Sequence, residues 1–358
     1  MEILHDYSLG EIKNLIEEMG EKPFRAGQIF RGIHSGKKIS EITDISKDFR
    51  NKLLERFADS PVEIIGSKTS KIDGTVKFLF KLWDNNVIEG VLMKYKYGNT
   101  QCVSTQVGCR MGCAFCASGI GGLVRNLTAG EILGQITAVN AYLGGNADKR
   151  QVTNVVLMGS GEPLDNYDNV VKFIRNLSAQ GGLNVSPRNV SLSTCGLVPN
   201  MLRLSEEGLD VNLTVSLHNP FDERRKNLMP IANAYKVQEI LDACNVYFKK
   251  TKRRYIFEYS LVKGENDTRE CAEELIRLLK GRPCHVNLIR LNEVKEKNLQ
   301  ATTDKDAYRF LGLLERGGLS ATVRRQIGVD IDGACGQLRR NYLENNTELE
   351  NDTEKGLC

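Results

Sequence analysis

Apolar residues follow two rhythms along the first hundred positions of the chain. Between Ser8 and Phe57 they recur at helical spacing, and this predicts three short helices. In the first, Ile12, Leu15, Ile16 and Met19 form the apolar side behind Ser8-Leu-Gly-Glu11, where a hydroxyl three residues ahead of a carboxylate predicts a capping box. Ile29, Phe30 and Ile33 mark the second helix, which follows Lys22-Pro, and residues 42–57 form the third. From Val62 the period shortens to two. Residues 62–69, 75–83 and 87–95 read as antiparallel strands, the last two joined by the turn Asp84-Asn85-Asn86, and residues 100–106 as a further strand.

Beyond residue 128 strand-like apolar runs alternate with amphipathic helical runs. Thr128 and Glu131 predict a capped helix over 128–143. Strands are expected at 154–158, 189–192, 211–215, 255–261, 285–291 and 321–325, with helices at 168–179, 237–249, 269–280 and 304–315. Repeated βα units with near-continuously apolar strands imply a parallel sheet covered by helices, an α/β fold able to curl into a full or partial (β/α) barrel. Gly159-Ser-Gly161-Glu162-Pro163, Ser193-Thr-Cys-Gly196, Ser216-Leu217-His218, Asn266-Asp267 and Asn292 all fall at or just after strand ends. In a parallel barrel those ends share one rim, where active sites form.

Composition narrows the class. A chain of 358 residues allows one large domain, or one large and one small. No run approaches the roughly 18 apolar residues of a membrane span, and the first residues lack the basic-then-apolar order of a signal peptide, so a cytoplasmic protein with no membrane partner is expected. Ten cysteines in such a protein point to thiol or metal chemistry rather than a disulfide framework. The net charge is +4, yet Glu344 to Cys358 holds five acids against Lys355, so residues 1–343 carry +8. That excess favours polyanions moderately. Lys22, Arg25, Arg31, Lys37, Lys38, Lys47, Arg50, Lys52 and Arg56 make the helical segment 8–57 basic, as suits either a solvated surface or a grip on RNA phosphates. The acidic, polar tail after Tyr342 reads as disordered.

The chemistry centres on Cys109-Arg-Met-Gly-Cys113-Ala-Phe-Cys116. Three thiolates on one loop can hold three irons of a [4Fe-4S] cluster and leave the fourth open for a substrate or cofactor. Zinc is the rival, although structural zinc favours paired knuckles with four ligands and no second knuckle follows. Gly159-Ser-Gly161 resembles the start of a dinucleotide fingerprint but lacks its third glycine. Glu162 can accept hydrogen bonds from an amine, and glycines let a ligand approach the backbone. Ser193, Ser216 and His218 add two hydroxyls and an imidazole, and the alternation of an extended segment points Ser216 and His218 to one face. Asn292 offers both a donor and an acceptor. Cys102 lies on the strand feeding the cysteine loop, and Cys335 sits among Gly333, Ala334 and Gly336 after the last strand. Glu89 is a carboxylate inside the otherwise apolar run Val87-Ile-Glu-Gly-Val-Leu-Met.

The cysteine spacing resembles that of the radical S-adenosylmethionine (SAM) superfamily. Three longer stretches are similar to one branch of it, the radical SAM RNA adenine C2 methyltransferases. They are Lys94-Tyr-Lys-Tyr-Gly-Asn-Thr-Gln-Cys102-Val-Ser-Thr-Gln-Val-Gly-Cys109, Gly121-Gly-Leu-Val-Arg-Asn-Leu-Thr128 and Asp332-Gly-Ala-Cys335-Gly-Gln-Leu338. The resemblance implies a partial (β/α)6 barrel over 99–342, with an RNA-binding helical domain over 1–60, a β extension over 61–98 and the tail over 343–358. It implies that Cys109, Cys113 and Cys116 hold a [4Fe-4S] cluster. Gly161, Glu162, Ser193, Ser216, Leu217, His218 and Asn292 would bind SAM. In the implied reaction one SAM methylates Cys335, a second is cleaved to a radical that activates that methyl group, and the group adds to carbon 2 of adenine. Glu89 takes the C2 proton, and Cys102 closes a transient disulfide with Cys335. The implied partners are 23S rRNA, transfer RNA and a one-electron reductant of flavodoxin or ferredoxin type, and the chain is expected to be a monomer. The alternative within the superfamily is a C8-adenine methyltransferase conferring antibiotic resistance. From another class, an electron carrier or RNA-binding module without catalysis would need neither Cys102 nor Cys335. Cys195 stands where these enzymes often carry serine, and no role is assigned to it.

Overall fold

The computed structural model of the chain describes residues 1–292, 294 and 297–331. Three helices open it: α1 Leu9–Glu18, α2 Arg25–His34 and α3 Lys47–Arg56. Both halves of the capping box at Ser8 and Glu11 are present. The third helix starts later than the apolar pattern predicts, because the Ser46 hydroxyl accepts from Phe49 N at 3.3 Å and sets the cap there. Ile42 and Ile45 therefore precede the helix, and both are buried with Ile16, Ile29, Phe30, Ile33, Phe49 and Leu53 in an apolar core belonging to these helices.

The rest is built on one ten-stranded sheet. Its antiparallel part is β1 Val62–Thr69, β2 Val76–Leu82 and β3 Val87–Tyr95, followed by β4 Gly98–Cys102. The predicted strand over 100–106 is interrupted. Ser104 exchanges hydrogen bonds with the Gln135 side chain (N to Oε1 2.9 Å, Nε2 to O 2.9 Å), which removes its backbone from any ladder. The chain resumes as β5 Gln106–Gly108, which pairs antiparallel with β6 Leu123–Asn126 to form a small separate hairpin across the cysteine loop. Then come α4 Ala129–Tyr142, β7 Val152–Leu157, α5 Tyr167–Ser178, β8 Val190–Thr194, α6 Val198–Leu204, β9 Asn212–Ser216, α7 Asp222–Leu228 and α8 Val237–Thr251. β10 Tyr255–Leu261, α9 Arg269–Leu279, β11 Cys284–Arg290, α10 Asp304–Arg316 and β12 Ala321–Val323 complete the order. β4 pairs antiparallel with β3 on one edge and parallel with β7 on the other, and β7 through β12 continue in parallel. Among the described residues the sheet stays open, running from β1 to β12, so the barrel is partial.

The strands are less uniformly apolar than the α/β reading supposes. Leu157, Leu192, Leu213, Val215, Phe257 and Leu288 alternate with polar neighbours and are buried in the main core. Each such burial stabilises by about 1.5–3 kcal/mol. The intervening positions line the lumen, and there Ser191, Ser193, Thr214, Ser216, Glu258 and Asn287 replace the branched residues that fill a closed barrel. Among the described residues, no helix is long and apolar enough to cross a membrane.

Candidate active site

The cysteine loop begins where β5 ends. Gly108 has φ +80° there, and a Cβ would strike the Gly122 carbonyl oxygen at 2.0 Å, so no other residue fits the junction. Cys109 N donates to that same carbonyl at 2.9 Å, and Ala114 N donates to Leu228 O at 2.9 Å, fixing the loop at both ends of its arc. Arg110 forks onto Asp165, with Nε to Oδ2 at 2.9 Å. Cys109, Cys113 and Cys116 all line one cavity at the C-terminal ends of the parallel strands. Burial, reinforced by the neighbouring cysteines, pushes the Cys109 thiol up to about 11 and the Cys113 thiol up to about 12. Such thiols become ligands only when a metal takes the place of the proton.

The opposite wall comes from the loop after β7. Gly159 and Gly161 are required by the protein's own backbone. A Cβ on Gly159 would meet Val103 O at 2.7 Å, and one on Gly161, at φ +109°, would meet Gln106 N at 2.8 Å. Both glycines thus let the loop lie against residues 103–106, and both also line the cavity. This contact presents Glu162, whose Oε1 accepts from Leu164 N at 3.0 Å and whose Oε2 accepts from Cys195 N at 2.7 Å. Burial raises its carboxyl, and these amide donors oppose that shift. Glu162 also lines the cavity, where its carboxyl group can meet an incoming ammonium group.

Ser193, Ser216, His218 and Asn292 line the same cavity. The Ser193 hydroxyl donates to Glu258 at 3.4 Å, and Glu258 pairs with Arg324 at 3.4 Å across the lumen. His218 is not in the extended conformation assumed from its spacing. Its φ is +56°, and its Nδ1 accepts from Ser260 N at 2.9 Å. That bond places the ring proton of the neutral imidazole on Nε2. Burial, with Arg225 nearby, holds His218 down to about 3, so the ring is neutral. Phe115 of the cysteine loop packs edge-on against it at 4.7 Å between centroids. Leu217, by contrast, belongs to the main core and does not line the cavity.

Cys102 and Glu89 lie beside this cavity. Cys102 lines an adjoining one, and the two share Met158, Ile289, Arg290, Asn292 and Arg324 as walls. Glu89 is 6% exposed and pairs with Lys77 at 3.4 Å, which removes the reading of a solvent-facing edge residue. Cys335 lies outside the described residues. Ile331 lines the Cys102 cavity.

Two residues of consequence escaped the sequence reading. Arg225 is fully buried, and its guanidinium donates to the carbonyls of Leu217 (3.0 Å), Cys195 (2.8 Å) and Ser216 (3.2 Å), tying together the loops after β8 and β9. The run Asp222-Glu-Arg-Arg-Lys reads as an exposed charged helix, and nothing in it singles out Arg225. Lys77 is fully buried too, and only an interruption of the apolar run in β2 could have flagged it.

A partial parallel barrel with three cysteines after its first strand and a buried carboxylate after its second has the build of a radical SAM enzyme, and the Radical SAM superfamily matches residues 103–279. The Ribosomal RNA large subunit methyltransferase N-terminal domain matches residues 3–58. Over 346 residues, covering 96% of this chain and 98% of the relative, the sequence is 52% identical to the probable dual-specificity RNA methyltransferase RlmN of Clostridium perfringens. Identity to the protein of that name from Lachnoclostridium phytofermentans is 49%, covering 94% of each chain. Among solved structures, a radical SAM methyltransferase from Sphaerobacter thermophilus superposes with a TM-score of 0.89 at 40% identity, covering 94% of this chain and 99% of that one. The chain belongs to the RlmN family of dual-specificity RNA methyltransferases.

Radical SAM enzymes use a [4Fe-4S] cluster and SAM, and the donor set suits both. Among the described residues no three His, Cys, Asp or Glu side chains close on a single ion. The three thiols instead stand around a shared cavity, as ligands to separate corners of a cluster do. Facing them are the Glu162 carboxyl group and the hydroxyls of Ser193 and Ser216.

Proposed function

We propose that this enzyme methylates carbon 2 of an adenine in RNA, at one adenosine of 23S rRNA and at the adenosine 3′ of the anticodon in transfer RNAs, through a methyl-cysteine relay. The observation that carries this reading is the shared wall between the cavity of the three cysteines and the cavity of Cys102. Radical chemistry started in the first is thereby within reach of thiol chemistry in the second.

Cys109, Cys113 and Cys116 would hold the cluster, which when bound supplies one electron to SAM and so a means of abstracting hydrogen from an unreactive methyl group. Glu162 receives the SAM amino group, Ser193, Ser216 and Asn292 its remaining polar edges, and the His218 ring stands beside them. Carbon 2 of adenine is no nucleophile, so direct displacement at a sulfonium cannot methylate it, and Cys335 carries the methyl group instead. Glu89 takes the C2 proton. With the cluster bound, the adduct's odd electron would return to it. The Cys102 thiolate then attacks the Cys335 sulfur, which forms the S–S bond and breaks the bond from that sulfur to the carbon now on the base, and the electron pair left on that carbon takes up a proton to complete the methyl group. The flipped base must be unstacked to enter such a site.

The N-terminal helices are the proposed RNA grip, and their charges sort themselves. Arg25, Arg31 and Arg56 pair with Glu21, Asp148 and Glu2, whereas Lys22, Lys37, Lys38, Lys47 and Lys52 are exposed. The division at residues 60, 98 and 342, a monomeric cytoplasmic enzyme and a flavodoxin-like or ferredoxin-like donor belong to the same proposal. The test is anaerobic reconstitution with defined RNA fragments, followed by mass spectrometry of the nucleosides. We expect 2-methyladenine from the parent and none from Cys335→Ala or Cys102→Ala. Appearance of 8-methyladenine alone would establish the C8 chemistry instead, and methylation by Cys335→Ala would remove the relay.

A further inference from the structure

Strand register places Lys77, Val91 and Cys102 in one row across β2, β3 and β4. Side chains in such a row share a face, and so does Glu89, two residues before Val91 on β3. Lys77 and Glu89 are therefore diagonal neighbours on the face that forms the Cys102 cavity, and Lys77 Nζ stands 3.4 Å from Glu89 Oε2. The two side chains are 1% and 7% exposed. Lysines are almost never buried without a reason. Here the lysine lines the cavity wall while the carboxylate lies behind it.

From this geometry, and resting on the reading of Glu89 as the base that removes the C2 proton, we propose that Lys77 is the positioning residue that holds the Glu89 carboxylate for that step. Burial alone favours the neutral acid, which cannot accept a proton; an ammonium group within about 4 Å reverses that preference. The other charged or titratable groups facing this cavity are Cys102 on β4, Arg290 at the end of β11, and Arg324 and Arg325 after β12. Arg290 is engaged by Asp304 and Arg324 by Glu258, whereas Lys77 pairs with Glu89. When the reaction proceeds, the proton passes from C2 to Glu89 Oε while Lys77 keeps its own proton. The pair thus goes from a compensated ion pair to a cation beside a neutral acid, and its negative charge is transferred to the product side.

The sign of the pH effect follows. An ammonium group favours the charged form of a neighbouring carboxylate, so removing it should act most strongly at low pH. With holoenzyme, SAM and an RNA fragment under single-turnover conditions, Lys77→Met should slow methylation about tenfold or more near neutrality and recover toward alkaline pH. Lys77→Arg, which retains a cation, should keep the parental pH profile. Lys77→Gln gives the same reading should the methionine variant fail to fold. A merely structural lysine would lower the rate at every pH without moving the profile, and that outcome overturns the proposal. Glu89→Gln separates the two layers. Full methylation by Glu89→Gln removes the base assignment itself. A dead Glu89→Gln beside a Lys77→Met with an unmoved profile removes only the role of the lysine.

Discussion

Arg225 shows how much one side chain can organise. It reaches the carbonyls of Leu217, Cys195, Ser216 and Tyr235, and burial lowers its affinity for its own proton, so it retains the charge against a cost. Replacing it by methionine leaves Leu217, Cys195 and Ser216 carbonyls without that donor, at an expected cost of about 2–4 kcal/mol. Urea unfolding of the cluster-free chain measures this, and SAM affinity should fall with it, because Ser216 and Cys195 flank the cavity. The residues that face the chemistry were legible from type and spacing, since cysteines, a Gly-Glu-Pro turn and polar residues at strand ends are rare patterns. The residues that hold them were not. Arg225 lies in a helix whose local sequence is charged throughout, and its burial is decided by what α7 packs against, which is non-local.

At the scale of elements, the β1–β2 hairpin turn clasps the segment that leads toward Cys335. Asp330 accepts from the Ser70 hydroxyl at 2.6 Å and from Lys71 N at 2.8 Å, while Asp73 accepts from Gly328 N at 2.9 Å. Against the burial that raises it, hydrogen bonds from Gly328, Thr75 and Ser70 hold the Asp73 carboxyl down to about 2. A group depressed in this way supports the fold above the ordinary carboxylate range, and its contribution is lost as pH falls toward about 2. The double variant Asp73→Ala, Asp330→Ala should be cleaved faster by protease between residues 326 and 331 and should lose RNA methylation while still cleaving SAM. Equal protease resistance would show that the clasp does not hold the segment. Alternation and capping made most elements readable beforehand, including the box at Thr128 and Glu131 that α4 uses. The misreadings came where side chains compete with backbone. Ser46 moved the start of α3, and Gln135 broke the strand that ends at Cys102.

For the whole molecule, the joint between the N-terminal helices and the barrel is marked by two buried histidines. Burial lowers His5 to about 4 and His34 to about 3, with His5 adding to the effect on His34. His34 Nδ1 accepts from Leu183 N at 3.3 Å, which requires that nitrogen unprotonated. Unfolded imidazole titrates near 6.5, so the unfolded chain binds protons that the folded chain refuses. Stability is therefore full above about pH 6.5 and declines as pH falls from there toward about 4. Thermal melts across that range should show the decline. It should be smaller in His34→Gln, which cannot take the proton, whatever that variant's stability at neutral pH. Residues 3–58 also match a domain named for ribosomal RNA methyltransferases, and the apolar core of these helices is their own.

β4 is the one strand with an antiparallel neighbour on one side and a parallel neighbour on the other. It makes the extension and the barrel a single hydrogen-bonded fabric, with the thiol of Cys102 woven at the seam. Spacing between Glu89 on β3 and the loop after β7 is then set by interstrand distance, as marks are set on a ruler. The consequence is an uneven tolerance to length. Loops at the rim can grow, but one residue added within β3 between Gly90 and Leu92 turns Glu89 to the far side of the cloth. Such an insertion should abolish methylation while the cysteine loop still assembles its cluster.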